Sequence, residues 1–127
     1  MPSGRVEDDK EVVPLLSYEQ TMALGQAEYQ DVINELVAAG LPAVFTQTGG
    51  MNAALELRLD GGYTVLITEA DDSLSWSRAE HRDWGAALYA PEQAYDGEVL
   101  AAEVTEDGTT VGLLRLVEEL LRAAVRG

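Results

Sequence analysis

Residues 52 to 69 restrict the fold of this chain more than any other stretch. From Asn52 to Leu59 the side chains alternate, with Leu55, Leu57 and Leu59 on one side and Ala54, Glu56 and Arg58 on the other. Such a period of two is that of a strand with two different faces. Asp60-Gly61-Gly62 follows. Glycine reaches positive φ without a Cβ clash, so this triplet reads as a hairpin turn. The chain returns from Tyr63 to Glu69, with Tyr63, Val65 and Ile67 on one face and Thr64, Leu66 and Thr68 on the other. An isolated two-stranded hairpin is marginal in water, so the rest of the chain must cover its apolar face.

The segments on either side supply that cover. Ser17 with Gln20 three residues on has the pattern of a capping box. A helix is expected from there to about Ala39. Its apolar face carries Val32, Ile33, Leu36 and Val37, led into by Met22, Gln26 and Tyr29, and its polar face carries Glu28, Asp31 and Glu35. Gly40, Leu41 and Pro42 then form a helix stop. Ala43–Gln47 and Trp84–Ala90 read as further strands, with breaks at Gly49-Gly50 and Pro91. Residues 98–104 alternate like a strand, yet Ala and Glu also favour a helix, so both assignments stay open. A last helix begins near Thr109 or Thr110, with Leu113, Leu114, Val117, Leu120, Leu121, Ala124 and Val125 as its apolar stripe. The fold class expected is α+β in two layers: an N-terminal helix, an antiparallel meander of four to five strands and a C-terminal helix. Residues 1–14 are expected to form a flexible acidic arm, and residues 15–127 a single domain.

Charge narrows the partners. Lys and Arg number 8 and Asp and Glu 23 in 127 residues, for a formal net charge of −15. That surface repels nucleic-acid phosphates and anionic lipids, so neither direct nucleic-acid nor membrane binding is expected. A basic protein partner is favoured, with self-association into a homo-dimer left open, and the bland alternative is that acidity serves solubility alone. The absence of cysteine removes disulfides and thiol chemistry. No signal-like apolar run follows the N-terminus, and a cytoplasmic address is expected.

Catalytic signals are sparse. His81, the only histidine, sits between charges of both signs and reads as a solvated loop residue. Glu69, Asp71 and Asp72 are hard oxygen ligands in close succession, but their spacing is not that of a calcium loop, so a solvated turn and no metal site are expected. The glycines form no nucleotide motif, and the only lysine, Lys10, lies in the arm. No cofactor is implied, and the expected function is a non-catalytic acidic protein-binding module or accessory factor. Trp76, Arg78, Arg82 and Trp84 are the candidate protein-contact residues, since Trp and Arg dominate interface hot spots. Trp84 has a competing reading as a core residue. A second reading is a nucleic-acid mimic, permitted by the acidic stretch Glu92, Asp96, Glu98, Glu103, Glu106 and Asp107, which holds no Lys or Arg.

Residues 40–90 contain Gly49-Gly50-Met51-Asn52-Ala53, Leu57-Arg58-Leu59-Asp60-Gly61-Gly62, Leu66-Ile67-Thr68 and Arg82-Asp83-Trp84-Gly85-Ala86-Ala87-Leu88-Tyr89. In these the chain resembles small uncharacterised acidic proteins of actinobacteria and their phages. The resemblance implies a bacterial or phage setting and no particular activity. The helix–meander–helix order is also similar, as architecture alone, to the acidic chaperones of bacterial secretion systems.

Overall fold

The structure, a computed structural model, describes residues 17–47, 52–91 and 99–126. The arm at 1–14, the Gly49-Gly50 break and the 92–97 loop expected from the sequence lie outside the described residues. The architecture is α+β: two N-terminal helices, a five-stranded antiparallel sheet and a C-terminal helix.

The N-terminal helical segment is a pair rather than one rod. Helix α1 covers Tyr18–Glu28 and α2 covers Gln30–Ala38. The Ser17 hydroxyl accepts from the Gln20 amide at 3.0 Å, and the Gln20 side chain accepts from the Ser17 amide at 2.9 Å, which completes the capping box. The break falls at Tyr29, where φ is −113° and ψ 16°. There the chain turns the tyrosine ring fully into the core, and its hydroxyl donates to the Ser75 carbonyl at 2.6 Å. Gly25, not Gln26, is the buried residue of α1, because the Phe45 ring lies where a Cβ would stand. Val32, Ile33 and Leu36 of α2 are buried, whereas Val37, placed on the apolar face by its spacing, points outward. Gly40 ends α2 with φ +86°.

Strands β1 (Ala43–Gln47), β2 (Ala53–Arg58), β3 (Thr64–Thr68), β4 (Trp84–Tyr89) and β5 (Val99–Thr105) pair in sequence order, so the sheet is a simple meander. The β2–β3 register sets Leu55 opposite Ile67 and Leu57 opposite Val65, as the alternation demands. Gly61 and Gly62 take φ +80° and +87° in the turn. The open assignment of residues 98–104 resolves as β5, paired to β4 from Trp84↔Thr105 to Tyr89↔Val99 with an irregularity at the Leu88/Tyr89 step. Helix α3 (Thr110–Arg126) follows, its Gly112 amide bonded to the Thr109 hydroxyl at 3.1 Å.

Helix α3 packs over β4 and β5, while α1 and α2 pack against β1. Between them lies one core, which includes Leu55, Leu57, Val65, Ile67, Leu113, Val117 and Leu120. Leu57 and Leu120 are each 0% exposed. Leu57→Ala and Leu120→Ala should therefore each cost about 2–5 kcal/mol in denaturant unfolding, the range for emptying a buried leucine. A loss below ~1 kcal/mol for both would contradict this packing. No helix among the described residues is long and apolar enough to cross a membrane.

Candidate functional site

Strand alternation carries Val65 and Ile67 to the core face and delivers Glu69 to the same side, just past the end of β3. A carboxylate at 4% exposure needs compensation from every direction. Glu69 has it. Its Oε2 accepts from His81 Nδ1 at 2.6 Å and from the Ser75 amide at 3.2 Å. Its Oε1 accepts from the amides of Arg82 at 3.1 Å and Asp83 at 3.4 Å. Burial, the largest influence, pushes the carboxyl pKa up, but the bonds from His81, Arg82 and Ser75 together outweigh it and leave the pKa below its ordinary value.

His81 completes the arrangement. Its Nε2 donates to the Gly108 carbonyl at 3.2 Å. Both ring nitrogens thus face oxygen atoms, one of a carboxylate and one of a backbone carbonyl. The Trp84 ring lies against the imidazole at 3.8 Å between centroids, and the Tyr29 ring meets it edge-on at 6.1 Å. Burial of a Tyr29 hydroxyl near Glu69 pushes its pKa strongly up, so it stays a neutral donor.

One carboxylate therefore gathers Ser75, His81, Arg82 and Asp83 of the 70–83 loop. Further bonds pin the loop at its ends and middle: the Ala70 amide to Asp83 Oδ1 at 2.9 Å, the Leu74 amide to the Ala53 carbonyl at 2.9 Å, and the Arg78 amide to Glu28 Oε1 at 2.6 Å. Through Gly108, His81 also ties this loop to the corner between β5 and α3. An added Cβ at Gly108 would fall on the Arg82 carbonyl, so the corner and the loop are in close backbone contact. The expected solvated histidine and solvated Glu69 are both corrected here. The His81 side chain is only 1% exposed, because it is hydrogen-bonded to a carboxylate that the strand register has already buried. Both of its nitrogens are engaged, so it ties Glu69 to the Gly108 corner. Asp71 and Asp72 do face solvent, as expected.

The four expected contact residues divide. Trp84 is 0% exposed and its indole N–H donates to the Thr109 carbonyl at 2.9 Å, so it belongs to the core and not to a contact surface. Trp76 is half-buried; its ring packs edge-on against Phe45 at 5.3 Å. Arg78 reaches Asp31 at 3.4 Å, and its guanidinium sits 5.7 Å above the centre of the Tyr29 ring. Arg82 is exposed. Trp76 instead joins Thr21, Leu24, Gly25, Glu28 and Ser77 around a shallow groove of about 390 Å³ between α1 and the loop.

Sequence reasoning did not identify Tyr29 or Glu69 as organising residues. For Glu69 the signal was present, since the hairpin alternation carried two residues further assigns it to the Val65–Ile67 face. Among the described residues no group of three or more His, Asp or Glu is placed to hold a metal ion. Of the acidic stretch that permits nucleic-acid mimicry, residues 92–98 lie outside the described residues. No family model, curated protein or solved structure matches this chain.

Proposed function

We propose that this chain is a non-catalytic protein-binding module whose groove between α1 and the 70–83 loop takes an apolar side chain flanked by basic residues. The observation that carries this reading is Leu24, 57% exposed on α1 and lining the groove beside the half-buried Trp76. Glu28 lies in the groove and Asp31 close by on α2. Together with the net charge of −15 they favour lysine or arginine around the inserted residue. The loop wall is already held by Glu69, so little ordering entropy opposes binding. On this reading the setting is the bacterial or phage-infected cytoplasm that the sequence leads one to expect.

The decisive variant is Leu24→Asp and not Trp76→Ala. Trp76 covers Phe45, so Trp76→Ala should itself cost about 1–3 kcal/mol of stability, below the range for a fully buried aromatic. Leu24 faces solvent, and Leu24→Asp should change stability by less than ~0.5 kcal/mol. The probe is a set of peptides with one Leu, Phe or Trp between lysines, titrated against the full chain by fluorescence anisotropy. Binding should weaken at least about tenfold in Leu24→Asp and should also weaken as salt screens the charges. Equal binding by Leu24→Asp, or no binding of any such peptide, would count against the proposal.

A further inference from the structure

A cavity of about 560 Å³ lies between the β2–β3 turn, strands β4 and β5 and the last turns of α3. The sequence accounts for the space. Helix α3 fills the core with Leu113, Leu116 and Leu120, but one turn later it offers only Ala123 and Ala124. Those short side chains do not reach the turn, and the close packing of the core stops there. Leu88, buried on β4, forms the floor, and Leu59, Leu100 and Leu121 add apolar walls. The turn at the lip is held in place. The Leu59 amide donates to the Tyr63 carbonyl at 2.8 Å and the Gly62 amide to the Leu59 carbonyl at 3.3 Å. A Cβ added at Gly62 would lie 3.2 Å from the Pro91 side chain, so the turn rests on the chain just past β4. This geometry sets Asp60 and Tyr63 on the cavity. Asp60 is the only charged residue among the described residues that line it, and no described residue bonds its carboxylate or the Tyr63 hydroxyl. On α3 the Arg122 guanidinium is bonded to Glu118 at 3.3 Å, so it does not neutralise Asp60.

We propose that this cavity binds a small hydrophobic amine, its apolar part against Leu88, Leu100 and Leu121 and its ammonium group at Asp60. The volume falls within the roughly 300–1,000 Å³ of small-molecule pockets, and the make-up is theirs: apolar walls with a few polar groups that fix orientation. Charge selects the ligand. An anion would meet Asp60 within a chain of charge −15, whereas a cation is drawn in by that charge and bonded at the lip. An ammonium group has three donors and no acceptor. It can donate to the Asp60 carboxylate and to the Tyr63 hydroxyl oxygen, and the first of these bonds is charge-assisted. A neutral alcohol of the same length meets the same walls but makes the weaker bond at the lip. The bound chain also covers Leu100 and Tyr63, otherwise 47% and 41% exposed. The site is separate from the α1–loop groove. The β2–β3 turn and the 70–83 loop lie at opposite ends of β3, and the two sites share no lining residue. Either proposal can therefore fail alone.

The probes are octylamine, octanol and octanoate, which share an alkyl chain and differ in the end group. Each is titrated into the isotope-labelled full chain and followed by amide NMR shifts. Octylamine should saturate a single site with a Kd of ~0.1–1 mM, the range for a ligand of this size. At ~0.05 M salt it should bind about fivefold more tightly than octanol, the effect of one exposed ion pair, and octanoate should bind most weakly. The shifts should centre on Leu59, Tyr63, Leu88 and Leu121 and leave Leu24 and Trp76 unmoved. Asp60→Asn, a change at an exposed turn residue, should cut the amine's advantage over the alcohol to less than about twofold, as should ~0.5 M salt with the native chain. Ala123→Phe, which fills the cavity, should weaken every probe at least about tenfold. Leu24→Asp should leave all three unchanged. Should Ala123→Phe fail to fold, Asp60→Asn decides by itself. Equal binding of amine and alcohol by the native chain, an amine preference that survives Asp60→Asn, or shifts centred on the α1–loop groove would overturn the proposal.

Discussion

Glu69→Ala is expected to destabilise the fold by about 3–5 kcal/mol, the cost of breaking a buried pair by removing one partner. The substitution strips His81 of its carboxylate at 1% exposure and leaves the amides of Ser75, Arg82 and Asp83 without their acceptor. Chemical denaturation at neutral pH measures the loss. A change under ~1 kcal/mol would mean that these bonds contribute little. Acid should act through the same group. The Glu69 pKa in the folded chain is below the ordinary value of 4.5, so the unfolded chain binds its proton first as pH falls. The contribution is fully present above that ordinary value and is lost as pH drops through the folded value. Stability measured from neutral pH down to ~3 should thus fall more steeply for the native chain than for Glu69→Ala. Parallel curves would remove Glu69 as a source of acid sensitivity.

Trp84→Ala should cost a similar amount, about 3–5 kcal/mol, by emptying the largest fully buried side chain of the core. Two further losses accompany the cavity: the Thr109 carbonyl at the start of α3 loses its indole donor, and His81 loses the ring it lies against. Trp84→Phe keeps most of the apolar contact and removes the N–H, so it should cost about 1–3 kcal/mol. Thermal melts of the two variants separate the contributions. A Trp84→Ala protein that melts like the native chain would return Trp84 to the surface role that its residue type suggests.

The hairpin, both helix caps, the meander order and the buried faces of β2, β3 and α3 were legible in residues 17–126 because each is a local pattern. A period of two, a cap–Gln spacing or a glycine pair acts within a few residues of itself, and the chain obeys it wherever the rest goes. The break at Tyr29 was not legible, because helical spacing alone continues through it. The break coincides with a long-range contact, the bond from the Tyr29 hydroxyl to the Ser75 carbonyl 46 residues away. The choice of strand for Val99–Thr105 over helix was likewise made by the free edge of β4.

The polar connection at 70–83 shows the same division most sharply. Composition alone makes Asp, Ser, Arg and His in a row a solvated loop, and Asp71, Asp72 and Arg82 do face water. Whether a given polar residue is buried depends on what surrounds it in three dimensions, and no local pattern encodes the four donors that converge on Glu69. By itself the sequence determined the α+β class, the apolar faces and the acidic charge, since these follow from residue type and short-range period. Only the tertiary structure decided that His81 is held between Glu69 and Gly108, that Trp84 is core and that Val99–Thr105 pairs with β4 as the last strand of the sheet, because burial, partnership and strand position are properties of packed elements and not of segments.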